Sequence, residues 1–114
     1  MFSDILLTAD FDRTLTGPDS KIPQRNLDAV AFFMANGGTF TVNTGRSLPQ
    51  SALLRQEVPM NAPFLCYNGS LAIDEKDQIL FCQAIDLPLE ETLQAVRKSG
   101  IPIEVNTAGK DKVI

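Results

Sequence analysis

Residues 5–15 read ILLTADFDRTL. A run of five residues, apolar apart from Thr8, ends abruptly in a pair of carboxylates, Asp10 and Asp12. A near-continuous apolar strand predicts burial on both faces, as in a parallel sheet. The carboxyl ends of the strands in open α/β sheets form the ligand crevice. The stretch therefore predicts a first strand with two carboxylates placed at a ligand site.

The following residues alternate between helix and strand patterns. Apolar residues recur at helical spacing after Pro23, and Gly37-Gly38 ends that helix. The remaining elements of this half are predicted as a strand at residues 39–43, a short helix at 47–56 and a strand at 64–67. The order β-α-β-α-β is typical of a parallel sheet flanked by helices.

The pattern changes after residue 69. Two apolar runs, residues 70–73 and 79–84, flank a polar stretch and predict a hairpin that leaves the sheet. Further elements are predicted as a helix at 89–98, a strand at 101–105, a turn at 109–111 and the beginning of a strand at 113–114. Because a two-residue apolar stub is an unusual domain end, we expect the chain to be incomplete relative to the fold it encodes.

Composition excludes several classes of function. The chain has 114 residues, 44% of them apolar and 21% charged, which is a globular composition. Its net charge of −4 disfavours binding to the phosphate backbone of nucleic acid. The longest apolar run, residues 29–34, is far too short to span a membrane. We therefore expect neither nucleic acid nor a membrane as a partner.

The absence of histidine is the sharpest exclusion. Without histidine this chain cannot form a Ser-His-Asp or Cys-His system or a histidine zinc site. Its two cysteines, Cys66 and Cys82, each lie in an apolar run and are predicted to be buried free thiols. Free thiols fit a reducing cytoplasm, and residues 1–4 lack the basic start of a signal peptide. We expect a cytoplasmic location.

Polar groups follow all three predicted parallel strands. Asp10 and Asp12 form a hard oxygen pair that suits Mg2+. Thr44-Gly45-Arg46 offers a hydroxyl, a close backbone approach and a cation, a combination that suits an anion such as phosphate. Asn68 follows the third strand. Each pattern alone is also explained by an ordinary turn, and the coincidence of all three favours a site.

Together these motifs resemble the haloacid dehalogenase-like phosphatase superfamily. The matching residues are Asp10-x-Asp12-x-Thr14-Leu15 behind an apolar strand, then Thr44-Gly45-Arg46, then the segment FLCYNGS at 64–70. The Thr-Gly-Arg and Asn-Gly-Ser forms resemble its Cof-type sugar-phosphatase branch. The resemblance implies the N-terminal part of a Rossmann-like parallel sheet core at residues 1–84. It implies the beginning of an α/β cap, apparently truncated, at residues 85–114.

The resemblance also implies roles for individual residues. Asp10 would be the nucleophile that forms an aspartyl-phosphate, and Asp12 would be the general acid and then the general base. Mg2+ would be held by the Asp10 carboxylate and the Asp12 backbone carbonyl. Phosphate would be bound by Thr44, Gly45, Arg46 and Asn68. The implied activity is a Mg2+-dependent phosphohydrolase whose substrate is a small phosphate ester, with sugar phosphates favoured.

The sequence departs from the family pattern at two points. Arg13 stands where the family usually has glycine. A bulky side chain there either alters the turn or reaches toward the substrate or cap, and tolerated variation is the favoured interpretation. The family also needs a lysine and an acidic pair that follow the cap, and Lys110 and Lys112 do not match that lysine.

These departures leave alternative functions open. The first is a non-catalytic fragment or interaction module that retains the fold. The second is a phosphotransferase resembling phosphomannomutases. A receiver-type phospho-acceptor is disfavoured by Thr14 and by the cap-like segment. Because a truncated sheet leaves an unpaired edge, we expect self-association or pairing with a complementary chain.

Overall fold

A computed structural model describes residues 1–106 and 111–113 of the chain. The strands are β1 Leu6–Ala9, β2 Thr39–Val42, β3 Phe64–Cys66, β4 Leu71–Ile73, β5 Ile79–Cys82, β6 Glu104–Asn106 and β7 Asp111–Val113. The helices are α1 Gln24–Ala35, α2 Leu54–Glu57 and α3 Leu89–Arg97. This order confirms the predicted α/β class.

The first three strands run parallel. β1 pairs with β2 from Leu6 opposite Thr39 to Ala9 opposite Val42. β2 is joined to β3 where Asn43 lies opposite Leu65 in parallel orientation. All three strands therefore end at the same edge of the sheet, which confirms the predicted Rossmann-like arrangement.

The hairpin that follows β3 extends this sheet. β3 pairs antiparallel with β4, and β4 pairs antiparallel with β5. The prediction that the hairpin leaves the sheet is wrong, because the tight turn Tyr67–Gly69 reverses the chain directly onto β3. Asn68 and Gly69 make that reversal with φ angles of 56° and 89°. The ladders β1-β2 and β3-β4-β5, joined by the Asn43–Leu65 bridge, give the strand order β1-β2-β3-β4-β5.

The hydrophobic core is formed by the three middle strands together with α1, α2 and the turn after β1. It consists of Phe11, Leu15, Val30, Phe40, Val42, Leu54, Val58, Phe64, Cys66, Leu71 and Ile73. Helix α1 adds Val30 together with the partly buried Phe33 and Met34. Gly38 is needed where α1 turns into β2, because a Cβ there would come within 2.4 Å of the Phe33 ring.

The two outer strands are exposed. The side chains of β1 that were expected to be buried on both faces are largely solvent-accessible, with Leu6 64% exposed. This prediction is wrong because β1 is paired on one side only, with β2, among the described residues. Cys82 is likewise exposed, since it lies on the edge strand β5, whereas Cys66 on β3 is buried as predicted.

The predicted helix at residues 47–56 is split into two short pieces. A single 3₁₀ turn covers Pro49–Ser51, and α2 follows separately. Ser47 and Gln50 cap the 3₁₀ turn reciprocally, and the Ser51 hydroxyl bonds back onto the same turn. The Ser47 hydroxyl accepts a bond from the Gln50 backbone N–H at 3.3 Å, and the Ser51 hydroxyl donates to the Ser47 carbonyl at 2.7 Å.

The segment after β5 forms α3 and a small antiparallel pair, β6 with β7. Glu90 and Glu91 lie in the first turn of α3 and Arg97 in its last turn, as the helix dipole favours. The strand predicted at 101–105 begins later, and the one predicted at 113 begins at Asp111. The turn predicted at 109–111 falls mainly outside the described residues, as does Lys110. Among the helices of the described chain, none has the length and apolar character to cross a bilayer.

Candidate active site

The end of β1 folds into a tight turn, Phe11–Leu15, that displays the two carboxylates. Phe11 and Leu15 are buried in the core and anchor the turn, whereas Asp10 and Asp12 are exposed. Both aspartates have extended backbone angles, with ψ of 153° and 122°. The Thr14 hydroxyl returns to donate a hydrogen bond to Asp10 Oδ2 at 3.1 Å.

Asp12 is held by Arg46 from the second strand end. Arg46 Nε donates to Asp12 Oδ2 at 2.8 Å and the Arg46 Nη2 donates to Oδ1 at 2.6 Å. The guanidinium also lies 5.0 Å from the centre of the Phe11 ring. Hydrogen bonding to Asp12 raises the pKa of Arg46 above its usual value, against a smaller opposing effect of burial. The predicted phosphate-binding arginine is thus placed on a carboxylate.

The second and third strand ends are joined by backbone hydrogen bonds. The Asn68 N–H donates to the Thr44 carbonyl at 3.0 Å, and the Tyr67 N–H donates to the Arg46 carbonyl at 2.9 Å. Thr44 is buried, and its hydroxyl accepts a bond from the Arg46 N–H at 3.2 Å. This contact uses a lone pair of the Thr44 hydroxyl. The hydroxyl proton can therefore still be donated to an anion.

Gly45 and Asn68 meet at close range. A Cβ on Gly45 would lie 2.9 Å from Asn68 Oδ1, so any larger residue would displace the Asn68 amide. The glycine of the second motif is therefore fixed by the asparagine of the third. The loops that follow β1, β2 and β3 thus bring Asp10, Asp12, Thr44 and Asn68 to one sheet edge.

Left-handed backbone is concentrated at this edge. Of the five non-glycine residues with positive φ in the described chain, three follow β1 or β3, namely Arg13, Tyr67 and Asn68. The other two, Ser20 and Asp77, lie in surface turns. Backbone strain of this kind clusters at functional sites.

A cavity of about 660 Å³ lies beside the second and third loops. Gly45 and Asn68 line it on the core side, and Leu89, Leu93 and Glu104 line it from the segment after β5. Its volume falls within the range typical of small-molecule sites, about 300–1,000 Å³. The cavity places a space for a small ligand between the sheet edge and the cap-like segment.

The donor set is compatible with Mg2+ bound together with a phosphate. Residues 1–106 contain no group of three acidic, cysteine or histidine side chains that could hold a metal. Mg2+ is commonly bound by one or two carboxylates plus substrate phosphate oxygens and water. Asp10 and Asp12 offer hard oxygen donors of this type at the sheet edge formed by the carboxyl ends of β1, β2 and β3.

Sequence reasoning missed the Asp12–Arg46–Phe11 arrangement. It assigned Arg46 to phosphate because a cation after Thr-Gly suits an anion, and it ignored the nearer anion at the end of β1. Parallel neighbours end side by side, so a cation after β2 faces whatever follows β1. That rule would have suggested the Arg46–Asp12 pair.

The comparisons with known proteins identify the family. The model of the haloacid dehalogenase-like hydrolase family matches residues 7–114. The chain therefore belongs to the haloacid dehalogenase-like hydrolases. A search of curated proteins gives no significant match.

Solved structures share the fold at low sequence identity. A haloacid dehalogenase-like hydrolase from B. subtilis has a TM-score of 0.80 at 20% identity, over 93% of this chain and 38% of that one. A phosphatase of the superfamily from Bacteroides thetaiotaomicron has 0.79 at 19%, over 98% and 41%. A subclass IIB sugar phosphatase has 0.77 at 22%, over 96% and 43%. The chain spans about two fifths of the length of these proteins.

Proposed function

We propose that this chain is the N-terminal part of a Mg2+-dependent phosphohydrolase of the Cof-type branch, acting on small phosphorylated metabolites. The observation that carries the proposal is that Asp10 and Asp12, Thr44, and Asn68 follow three neighbouring strands at one sheet edge, where Arg46 bonds Asp12 and Asn68 bonds Thr44. A cavity of about 660 Å³ lined by Gly45 and Asn68 lies beside this edge. Sugar phosphates are the favoured substrates, which is supported by the similarity to a sugar phosphatase.

The proposed reaction proceeds in two displacements. An Asp10 oxygen attacks phosphorus, the bond to the leaving oxygen breaks, and Asp12 donates a proton to that oxygen. Water then attacks the aspartyl-phosphate, Asp12 accepts a proton from the water, and inorganic phosphate leaves with Asp10 restored. A covalent carboxylate intermediate divides one difficult displacement into two easier ones.

The Asp12–Arg46 pair sets a condition on this chemistry. Both carboxylate oxygens of Asp12 accept hydrogen bonds from Arg46, so Asp12 cannot donate a proton to a leaving group while both bonds are intact. An anionic phosphoryl group offers Arg46 a competing bidentate partner. Substrate binding would then draw Arg46 toward phosphate and free one oxygen of Asp12.

The Asp10 carboxylate and the Asp12 backbone carbonyl would hold Mg2+ in this scheme. When bound, the ion neutralises part of the charge between the carboxylates and the phosphoryl group. The Thr44 hydroxyl and the Gly45 backbone would position the transferring group, because catalysis of phosphoryl transfer depends on placement and electrostatics.

Two alternatives are separated by product analysis. A chain that covers two fifths of its neighbours and holds no three-ligand cluster within residues 1–106 favours an incomplete enzyme as the second candidate. A phosphotransferase would pass the phosphoryl group to a sugar acceptor in preference to water.

The two free cysteines favour a reducing compartment, and we propose that the protein is located in the cytoplasm.

The test is Mg2+-dependent hydrolysis of p-nitrophenyl phosphate by the 114-residue chain. Asp10→Asn should abolish turnover, as should removal of Mg2+ with EDTA, since each removes a group that the first displacement needs. Asp4→Asn replaces an exposed aspartate away from the carboxyl ends of the strands, is the matched control and should retain activity. Equal activity in Asp10→Asn would exclude Asp10 as the nucleophile. No activity in any variant would favour the incomplete enzyme.

A further inference from the structure

Arg13 occupies a backbone conformation that disfavours its own side chain. Its φ of 62° and ψ of 13° are left-handed, a region that glycine enters freely and that is unfavourable for a residue with a side chain. The turn is nevertheless well formed, since the Arg13 N–H donates to the Thr16 hydroxyl at 2.8 Å. The local fold therefore gains nothing from arginine that glycine would not supply.

Position 13 lies between two residues of the candidate site. Asp12 precedes it and is bound by Arg46, while Thr14 follows it and binds Asp10. Adjacent Cα atoms are about 3.8 Å apart, so Arg13 begins one residue from Asp12 and one residue from the threonine that binds Asp10. A side chain rooted here stands next to the group that faces the leaving oxygen in the proposed reaction.

The Arg13 guanidinium is the unused cation of this turn. Within residues 1–106 the two ion pairs use Arg46 and Arg55, and Arg13 is exposed and takes part in neither. An exposed arginine held in a strained position, without a carboxylate partner in the described chain, is suited to an external anion. Arginine binds carboxylate and phosphate through two parallel hydrogen bonds.

We infer that Arg13 is a specificity residue that binds a second anionic group on the leaving-group side of the substrate. This inference rests on the proposed function, because it requires a phosphoryl group at Asp10. The substrate class is then a small phosphate ester that carries a further carboxylate or phosphate, such as a phosphorylated sugar acid or a sugar bisphosphate. A neutral leaving group would not use this cation.

The test compares two ligands with and without the second anion. Binding of 2-phosphoglycolate and of ethyl phosphate to the full chain is measured by calorimetry in the presence of Mg2+. We expect the wild-type chain to bind 2-phosphoglycolate about tenfold more tightly, the effect of one charged hydrogen-bonding pair. Arg13→Gly should abolish this preference while leaving the affinity for ethyl phosphate unchanged, and Arg13→Lys should retain part of it.

Ser20→Gly is the matched control for backbone strain. Ser20 has the same φ of 62° and lies in the loop that follows, so its replacement relieves comparable strain without removing a cation. It should leave both affinities unchanged. Tighter binding of 2-phosphoglycolate that survives in Arg13→Gly, or an equal loss of affinity for both ligands in that variant, would overturn the role of Arg13. If the wild-type chain binds both ligands with equal affinity, the role of Arg13 is overturned and the proposed function stands. If neither ligand binds, the role of Arg13 and the proposed function are both overturned.

Discussion

The inner and outer strands of this sheet have similar sequences and opposite environments. β2, β3 and β4 are almost entirely buried, whereas β1 and β5 are almost entirely exposed. Yet β5 reads ILFC and β1 reads LLTA, which are as apolar as the FLC of β3. Position in the strand order, and not composition, therefore sets burial here.

The chain exposes more surface than a compact domain of its mass. The accessible area is 7915 Å², against roughly 6,200 Å² for a folded monomer of 12.5 kDa. The radius of gyration is 16.9 Å, against about 13 Å for a compact domain of this length. The excess, about 1,700 Å² on one chain, is roughly twice the area that each partner buries in a standard protein interface, about 800 Å².

The largest expected effect is on the free energy of unfolding. Ile73 of β4 is fully buried and lies opposite Ile79 of β5, which is 54% exposed. Ile73→Ala should cost about 2–5 kcal/mol because it opens a cavity. Ile79→Ala should change stability by less than about 1 kcal/mol. Urea denaturation of both variants measures the difference, and similar losses would show that β5 is covered in solution.

The second effect is on association. In a solution of the purified chain the only partner for the exposed edge of β1 is a second copy, and we expect the mass measured by light scattering to rise with concentration. Leu6→Lys should reduce this association, because a charge on an edge strand opposes pairing. Phe32→Lys replaces an equally exposed residue on α1 and should not reduce it. A monomer at every working concentration would contradict the prediction.

The smallest effect concerns the two thiols. Burial raises the pKa of Cys66 from 9.0 to about 11, while Cys82 on β5 is exposed. Iodoacetamide at pH 8.5 should therefore modify Cys82 and spare Cys66 until the chain is unfolded, as read by mass spectrometry. The native state keeps the Cys66 proton longer than the unfolded state. Its contribution to stability is therefore present below about pH 9 and is lost as the pH rises toward 11. Equal labelling of both cysteines would show that β3 opens.

The parallel strands and their common edge followed from local patterns, since apolar runs ending in Asp10, Thr44 and Asn68 each mark a strand and its end. The exposure of β1 and of Cys82 could not be predicted in this way. Burial depends on which strands lie alongside, and the apolar sequences of β1 and β5 resemble those of the core strands. The direction of the hairpin depended on the left-handed turn at Asn68, which a sequence containing Asn-Gly permits in several ways. The Arg46–Asp12 pair joins residues 34 positions apart and needed the strand order first.

The close approach of Gly45 to Asn68 also restricts the order in which these two positions can be substituted during evolution. A side chain at position 45 would collide with the Asn68 amide at 2.9 Å. Gly45 can therefore be replaced without disruption only after Asn68 has been replaced by a smaller residue. The reverse order passes through a damaged intermediate. Such coupling makes the effect of one substitution depend on the other. Substitutions in the two motifs, which are 23 positions apart in the chain, are therefore expected to occur together.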